Sequence, residues 1–325
     1  MDFLFWPAMF PVWVMLIVAL LESIWRWPEK YHPISLFRLI AQRMADKVHP
    51  PSPRSHYQQQ ISGALACLVL WLPTVVILQL LKYLVEFPLL FDGVLLLAAL
   101  QFQPVLDTSK KLEQRLIAEQ KTWARQTLTP WVLRHTEQLS PLGMGKACIE
   151  SMLLRFQHQY LATLFWFAVA GGAGAFGYRL LYEFSHQWHT RRPRFSQFGQ
   201  FTARLIYLLQ WLPARILVLP LLIGEGITSA LKARWRDKNR INSTRLTLLS
   251  LCGGALGIQL GGPAFYNEHK TRLPKCGGLR ELRFGDIART RMAIIKAKVI
   301  LLCLLLFFGA LSFAAYQLHS GRLHL

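Results

Sequence analysis

Six predominantly apolar runs, each close to the length of a membrane crossing, dominate this chain: 3–21, 61–81, 83–102, 160–182, 203–223 and 299–318. A helix rises about 1.5 Å per residue, so about 20 such residues match a hydrocarbon core about 30 Å thick. A seventh run, 246–262, is shorter and rich in glycine. Basic residues flank it on both sides, Lys232, Arg234, Arg236, Lys238 and Arg240 before it and Lys270, Arg272, Lys275, Arg280 and Arg283 after it. A true crossing would send one cluster out of the cell, whereas a re-entrant element keeps both cytoplasmic. The expected fold is all-α: a polytopic helical membrane protein with five or six spans and one re-entrant glycine-rich element, forming a single domain over 1–325.

Loop charge sets the orientation. The segment 22–60 carries Arg26, Lys30, Arg38, Arg43, Lys47 and Arg54, which places it in the cytoplasm. Runs two and three form a hairpin through Lys82, so 103–159 returns to the cytoplasmic side as an amphipathic insert. Within it, 107–128 sets Leu112, Leu116 and Ile117 on one helical face. After Pro130 and Pro141-Leu142-Gly143, a second helix is expected from about Gly145 through Glu150. The segment 224–298 is a basic cytoplasmic region around the re-entrant 246–262. The first run lacks a preceding basic residue and a small-x-small cleavage site, so it is expected to remain as a span.

Thirty-seven Lys and Arg against seventeen Asp and Glu leave a net charge of +20. In a chain with 53% hydrophobic residues, that excess points to cytoplasmic loops on anionic lipid of the inner (cell) membrane, and away from nucleic acid, since no stacking module accompanies it. The five cysteines, Cys67, Cys148, Cys252, Cys276 and Cys303, show no C-x-x-C spacing, so they are expected to be apolar fillers.

Charged and polar residues in or beside apolar runs are the functional candidates. Arg215 stands inside run 203–223. Glu150 lies on a helix entering the membrane, with Lys146 one turn earlier as a possible partner. His186 and His189 have H-x-x-H spacing without a third ligand in view. Gly172-x-Gly174-x-x-Gly177 matches a dinucleotide fingerprint in form, but no strand precedes it, and close helix packing is the expected use. His32-Pro33 is expected to set a turn.

Several patterns, in order, resemble the CbiB/CobD family of cobalamin biosynthesis. Glu22 to Pro28 with His32-Pro33 is similar to that family's acid, GDP and HPV pattern. Arg134-His135-Thr136 with Lys146, Ala147, Glu150 and Ser151 resembles its RDT…RA…ES pattern. Leu164 to Trp166, Gly171 to Arg179, Trp211 to Arg215 and Gly254 to Tyr266 follow in family order. The resemblance implies an ATP- and Mg2+-dependent amide ligase, joining an aminopropanol or ethanolamine phosphate to a corrin side-chain carboxylate. It also implies site roles: Glu150, Arg134 and Lys146 in catalysis, Thr136, Arg215, Tyr266 and His32 on substrate or phosphate, and Glu150 with Glu22 on metal. Corrinoid, amino-alcohol phosphate and other membrane proteins are the implied partners.

Several of the family's acids are absent. Trp27 and His135 replace two of them, the EN…D positions hold Leu154, Arg155 and His158, and Ile206-Tyr207 stands where two acids precede the Trp211 motif. A diverged ligase and a non-catalytic, AmpE-like regulatory or assembly protein both accommodate that pattern. A transporter would show an internal repeat, and none is visible between the two halves.

Overall fold

The computed structural model describes residues 6–25, 27–49, 55–216, 218–241, 243–266 and 269–321. Helices α1 (Trp6–Ile24), α2 (Pro33–Val48), α3 (His56–Leu84), α4 (Pro88–Ala99), α5 (Gln103–Ile117) and α6 (Lys121–Leu128) come first. Helix α7 (Pro141–Arg155) runs through a π-helical turn (Phe156–Leu161) into α8 (Ala162–Gln187). Then come α9 (Gln200–Trp211), α10 (Pro213–Ile216), α11 (Leu219–Glu225), α12 (Ile227–Asp237) and α13 (Thr244–Leu256). Strands β1 (Gln259–Tyr266) and β2 (His269–Gly277) and the long α14 (Gly285–Gly321) complete the chain.

Four helical stretches among the described residues are long and apolar enough to cross a membrane: His56–Leu84, Pro88–Ile117, Pro141–Gln187 and Gly285–Ala314. The pair Gln200–Trp211 and Pro213–Glu225, bent by 47°, would make a fifth. The protein is thus a polytopic helical membrane protein, with four or five such stretches where the sequence suggests five or six. Helix α3 opens on a capping box between Ser55 and Gln58, which satisfies otherwise unpaired N–H groups. Its Leu65, Val69, Leu72, Val76 and Leu80 face outward, as side chains in contact with lipid do. The expected turn at Lys82 falls slightly later, between Leu84 and Pro88, where the proline sets the first turn of α4.

Glu22, at the end of α1, joins three helices. Its Oε1 accepts the N–H groups of Phe102 (2.9 Å) and Gln103 (3.0 Å) at the start of α5, and its Oε2 pairs with Lys298 of α14 at 2.8 Å. A carboxylate at a helix N-terminus compensates unpaired donors and the helix dipole. The expected helix over 107–128 is broken: α5 ends at Ile117, Glu119 adopts a left-handed conformation (φ 57°), and α6 starts at Lys121. Leu112 and Leu116 are buried as expected, but Ile117 is exposed. The following helix starts at Pro141, earlier than Gly145, because Ser140 caps it by accepting the Gly143 N–H at 3.1 Å.

The run 160–182 is not one crossing. His158 Nδ1 and Tyr178 Oη are hydrogen-bonded at 2.9 Å, and the His158 and Tyr182 rings stack with centroids 4.7 Å apart. A straight helix would separate residues 20 positions apart by about 30 Å. The chain therefore folds back on itself at Ala170 and Gly171, the latter at φ 66° and ψ −162°, a conformation that suits glycine. Asp92 of α4 receives the tip, accepting the Gly172 N–H at 3.0 Å while pairing with Lys82 at 2.6 Å. The glycines of GGAGAFG thus serve a turn and a close helix contact.

The run 246–262, expected as a re-entrant element, holds a short helix and the start of a strand. Helix α13 covers 13 residues, about 20 Å, too short to cross. It ends at Gly257 in the left-handed region (φ 72°), and the chain leaves as the antiparallel hairpin β1–β2, with a register irregularity between Gly261 and Pro263. Against α12, a Cβ at Gly254 would lie 2.5 Å from that of Ala233, so the glycine permits the close approach. Four of the five cysteines are buried and all are free thiols.

Candidate functional site

A cavity of about 270 Å³ opens where α7, the π turn, the end of α8, α9, α10 and α13 meet. Its lining brings together Arg134, Arg155, Arg191 and Arg245 with one carboxylate, Glu150. About three turns of α7 separate Glu150 from its cap and carry it into the interior, where it is 2% exposed. Its Oε2 pairs with Arg134 and lies 3.8 Å from Arg245, while its Oε1 accepts the Gly261 N–H at 2.8 Å. One buried charge therefore ties a loop, two helices and the β-hairpin together. Thr136 braces the Arg134 loop through a 2.8 Å hydrogen bond with Thr129. Arg155 donates to Ser151 and to the Trp131 carbonyl, both at 3.3 Å, and stacks on the Trp131 ring.

The other candidates lie elsewhere. Arg215 is exposed, donating to the Trp211 carbonyl at 2.8 Å and stacking over the Trp211 ring at 4.1 Å, while its neighbour Ala214 lines the cavity. Packing on an indole leaves the head group at the surface, so Arg215 does not contribute its charge to the cavity. Lys146 is half-buried one turn below Glu150 and outside the lining, and Arg134 and Arg245 partner Glu150 instead. His32 caps α2, its Nδ1 accepting the Ile34 N–H at 3.2 Å. With Glu22, Trp25 and Trp27 it lines a second cavity of about 200 Å³. Glu22 and Glu150, both expected on a metal, thus line different cavities. The backbone of Tyr266 closes β1, and its side chain lies outside the described residues.

Two groups stand out only in the structure. Glu183, 2% exposed, is held between Arg179, one turn before it, and Arg38 of α2 at 2.7 Å. The signal available in the sequence is an Arg and a Glu four residues apart inside an apolar run. Arg155 with Gln157, Arg191 and Arg245 come from three separate segments, and no local spacing announces their convergence.

His158, His186 and His189 all line the cavity, yet no group of three His, Cys, Asp or Glu among the described residues could hold a metal ion. Burial, with Arg191 and other cationic neighbours, holds the His189 pKa down at about 3 from an ordinary 6.5. Between those values the unfolded chain binds a proton that the folded protein refuses. The contribution of His189 is thus complete above pH 6.5 and lost as pH falls towards 3. Thermal unfolding midpoints measured from pH 7.5 to 4.5 are expected to fall, and His189→Gln is expected to flatten that fall; an unchanged slope would contradict the assignment.

Magnesium favours oxygen ligands, chiefly carboxylates with phosphate and water. Glu150 already has both oxygens engaged by N–H donors. The lining does not fit a magnesium ion held by the protein, whereas guanidinium groups converging from several segments fit a phosphate or another oxyanion.

The profile of the family described as CobD/Cbib protein matches residues 15–294. The cobalamin biosynthesis protein CobD of Stutzerimonas stutzeri (strain A1501) is 30% identical over 267 residues, covering 79% of this chain and 84% of the relative. CobD of Chromobacterium violaceum (strain ATCC 12472) is 27% identical over 264 residues, covering 80% and 85%. The cobalamin biosynthesis protein CbiB of Salmonella typhimurium (strain LT2) is 29% identical over 184 residues, covering 54% and 58%. No solved structure matches the chain. With that match spanning most of its length, including the Arg134 loop, Glu150 and the β-hairpin start, the chain belongs to the CobD/CbiB family.

Proposed function

We propose that the protein acts in cobalamin biosynthesis at the inner membrane, as an amide-forming protein of the adenosylcobinamide-phosphate synthase type with a corrinoid as one substrate. The observation that carries this is the arginine-lined cavity with Glu150 at its wall. In this reading Arg155, Arg191 and Arg245 grip the phosphate of an amino-alcohol phosphate, through charge-assisted hydrogen bonds. Glu150 holds Arg134 and Arg245 in place and neutralises part of the local charge. ATP, which the resemblance implies, presents phosphates of the same anionic class. The basic loops face the cytoplasm, and α12, with exposed Leu231, Lys232, Trp235 and Arg236, rests on anionic lipid.

The test is complementation of a strain lacking its own CobD/CbiB protein, scored by growth that requires completed cobalamin. The expected outcome is rescue by the unaltered protein and a loss of rescue of about tenfold or more in growth-limiting conditions for Arg245→Ala, the scale of one lost charged hydrogen bond. Absence of rescue from membrane-inserted, folded protein would sink the ligase reading in favour of a non-catalytic role.

A further inference from the structure

Two features of the same short segment are unfavourable unless something compensates them. Between α7 and α8 the helix widens into a π turn over Phe156–Leu161, a rare geometry concentrated at functional sites. Within that turn, Gln157 is 2% exposed and lines the cavity. Neither its Nε2 nor its Oε1 has a hydrogen-bond partner among the described residues. A buried carboxamide without partners is costly, and a helix interior offers many cheaper residues at such a position.

The two unpaired atoms specify what would satisfy them. A glutamine amide presents N–H donors and a carbonyl acceptor side by side in one plane. An ionised phosphate or carboxylate has acceptors only and would leave Oε1 unmatched; an ammonium has donors only and would leave Nε2 unmatched. A second carboxamide answers both, edge to edge. The arginines nearby already provide for anions, so Gln157 adds a neutral requirement to a cationic wall. At about 270 Å³, the cavity lies just below the range of about 300–1,000 Å³ that encloses a whole drug-sized ligand. It suits a substituent of a larger molecule.

We propose that Gln157, presented by the π turn, is a specificity-determining residue that pairs with a carboxamide substituent of the ligand, within the same cavity whose arginines take its anionic group or co-substrate. This rests on the cavity being the ligand site. The test uses the full-length protein in lipid nanodiscs, titrated separately with cobyric acid, a corrinoid bearing primary carboxamides, and with inorganic phosphate. Gln157→Leu is expected to weaken cobyric acid binding about tenfold or more while phosphate binding stays within about twofold. The same variant is expected to raise the ligand-free unfolding midpoint, because it removes unpaired polar atoms from the interior; Gln157→Met repeats the comparison with a more adaptable side chain. Unchanged cobyric acid affinity in both variants, or a lowered midpoint in both, would overturn the assignment and make Gln157 a structural residue. If the unaltered protein binds phosphate but not cobyric acid, the carboxamide assignment fails and the anion site stands. If it binds neither probe, both fail.

Discussion

Glu150→Ala is expected to abolish rescue of a cobalamin-requiring strain and to destabilise the protein by about 3–5 kcal/mol, the usual result of removing one partner from a buried ion pair. The size follows from what would be left behind. Arg134, itself buried, would lose its counter-charge, Arg245 its nearest carboxylate, and the Gly261 N–H its acceptor. Each is held by a different segment, so the loop before α7, the start of α13 and the β-hairpin would loosen together. Glu150→Gln keeps a carbonyl for Gly261 but not the charge, and is expected to fall between the unaltered protein and Glu150→Ala. Unfolding midpoints in detergent and rescue by the three proteins check this; an alanine variant with unaltered stability would show that the pair is not formed.

The second large effect is expected at the tip of the α8 hairpin. Gly172→Val would place a Cβ 2.7 Å from the Asp92 Cα and 2.8 Å from the Asp92 carbonyl oxygen. These are backbone atoms and cannot swing aside as the end of a side chain could. Overpacking of this kind costs about 1–3 kcal/mol and sometimes more, and valine adds two methyl groups to the clash. The Gly172 N–H would separate from Asp92, leaving the Lys82–Asp92 pair to hold the tip alone. The expected readout is a sharply lower yield of monodisperse protein and a lower unfolding midpoint. Gly224→Ala is the control, since its Cβ would meet only ordinary contact at 3.5 Å; equal behaviour of the two variants would refute the close-contact account.

The class of fold was legible because its cause is local. Apolar runs of crossing length need no partner to identify them, and α3 and α14 appear where those runs lie. Family membership was legible in the same way, as short motifs in a set order. Where the expectations failed, the cause was distant. Run 160–182 has the composition of one crossing, but Asp92, 80 positions before Gly172, supplies the acceptor that stabilises its reversal. In the glycine-rich 246–262, the approach of Gly254 to Ala233 and the pairing of β1 with β2 likewise depend on residues outside the run.

The site divides along the same line. Glu150 and Arg134 could be selected from the sequence as charged residues beside apolar runs, with motif context to support them. Arg215 satisfied the same criterion and yet lies outside the cavity, because one side of a short helix faces inward at Ala214 while the next position stacks on Trp211. Glu22 has the acid that a metal site would need, but its oxygens cap α5 and pair with Lys298. The sequence by itself determined the solvent in which this protein folds, its helical class and its family, because hydrophobic length and ordered motifs are properties of contiguous residues. Only the tertiary structure decided which charges meet. The Arg134–Glu150–Arg245 arrangement, the Gln157 amide in the cavity wall and the reversal at Gly171 depend on contacts between segments far apart in the chain, and those contacts are set by packing geometry that no local pattern encodes.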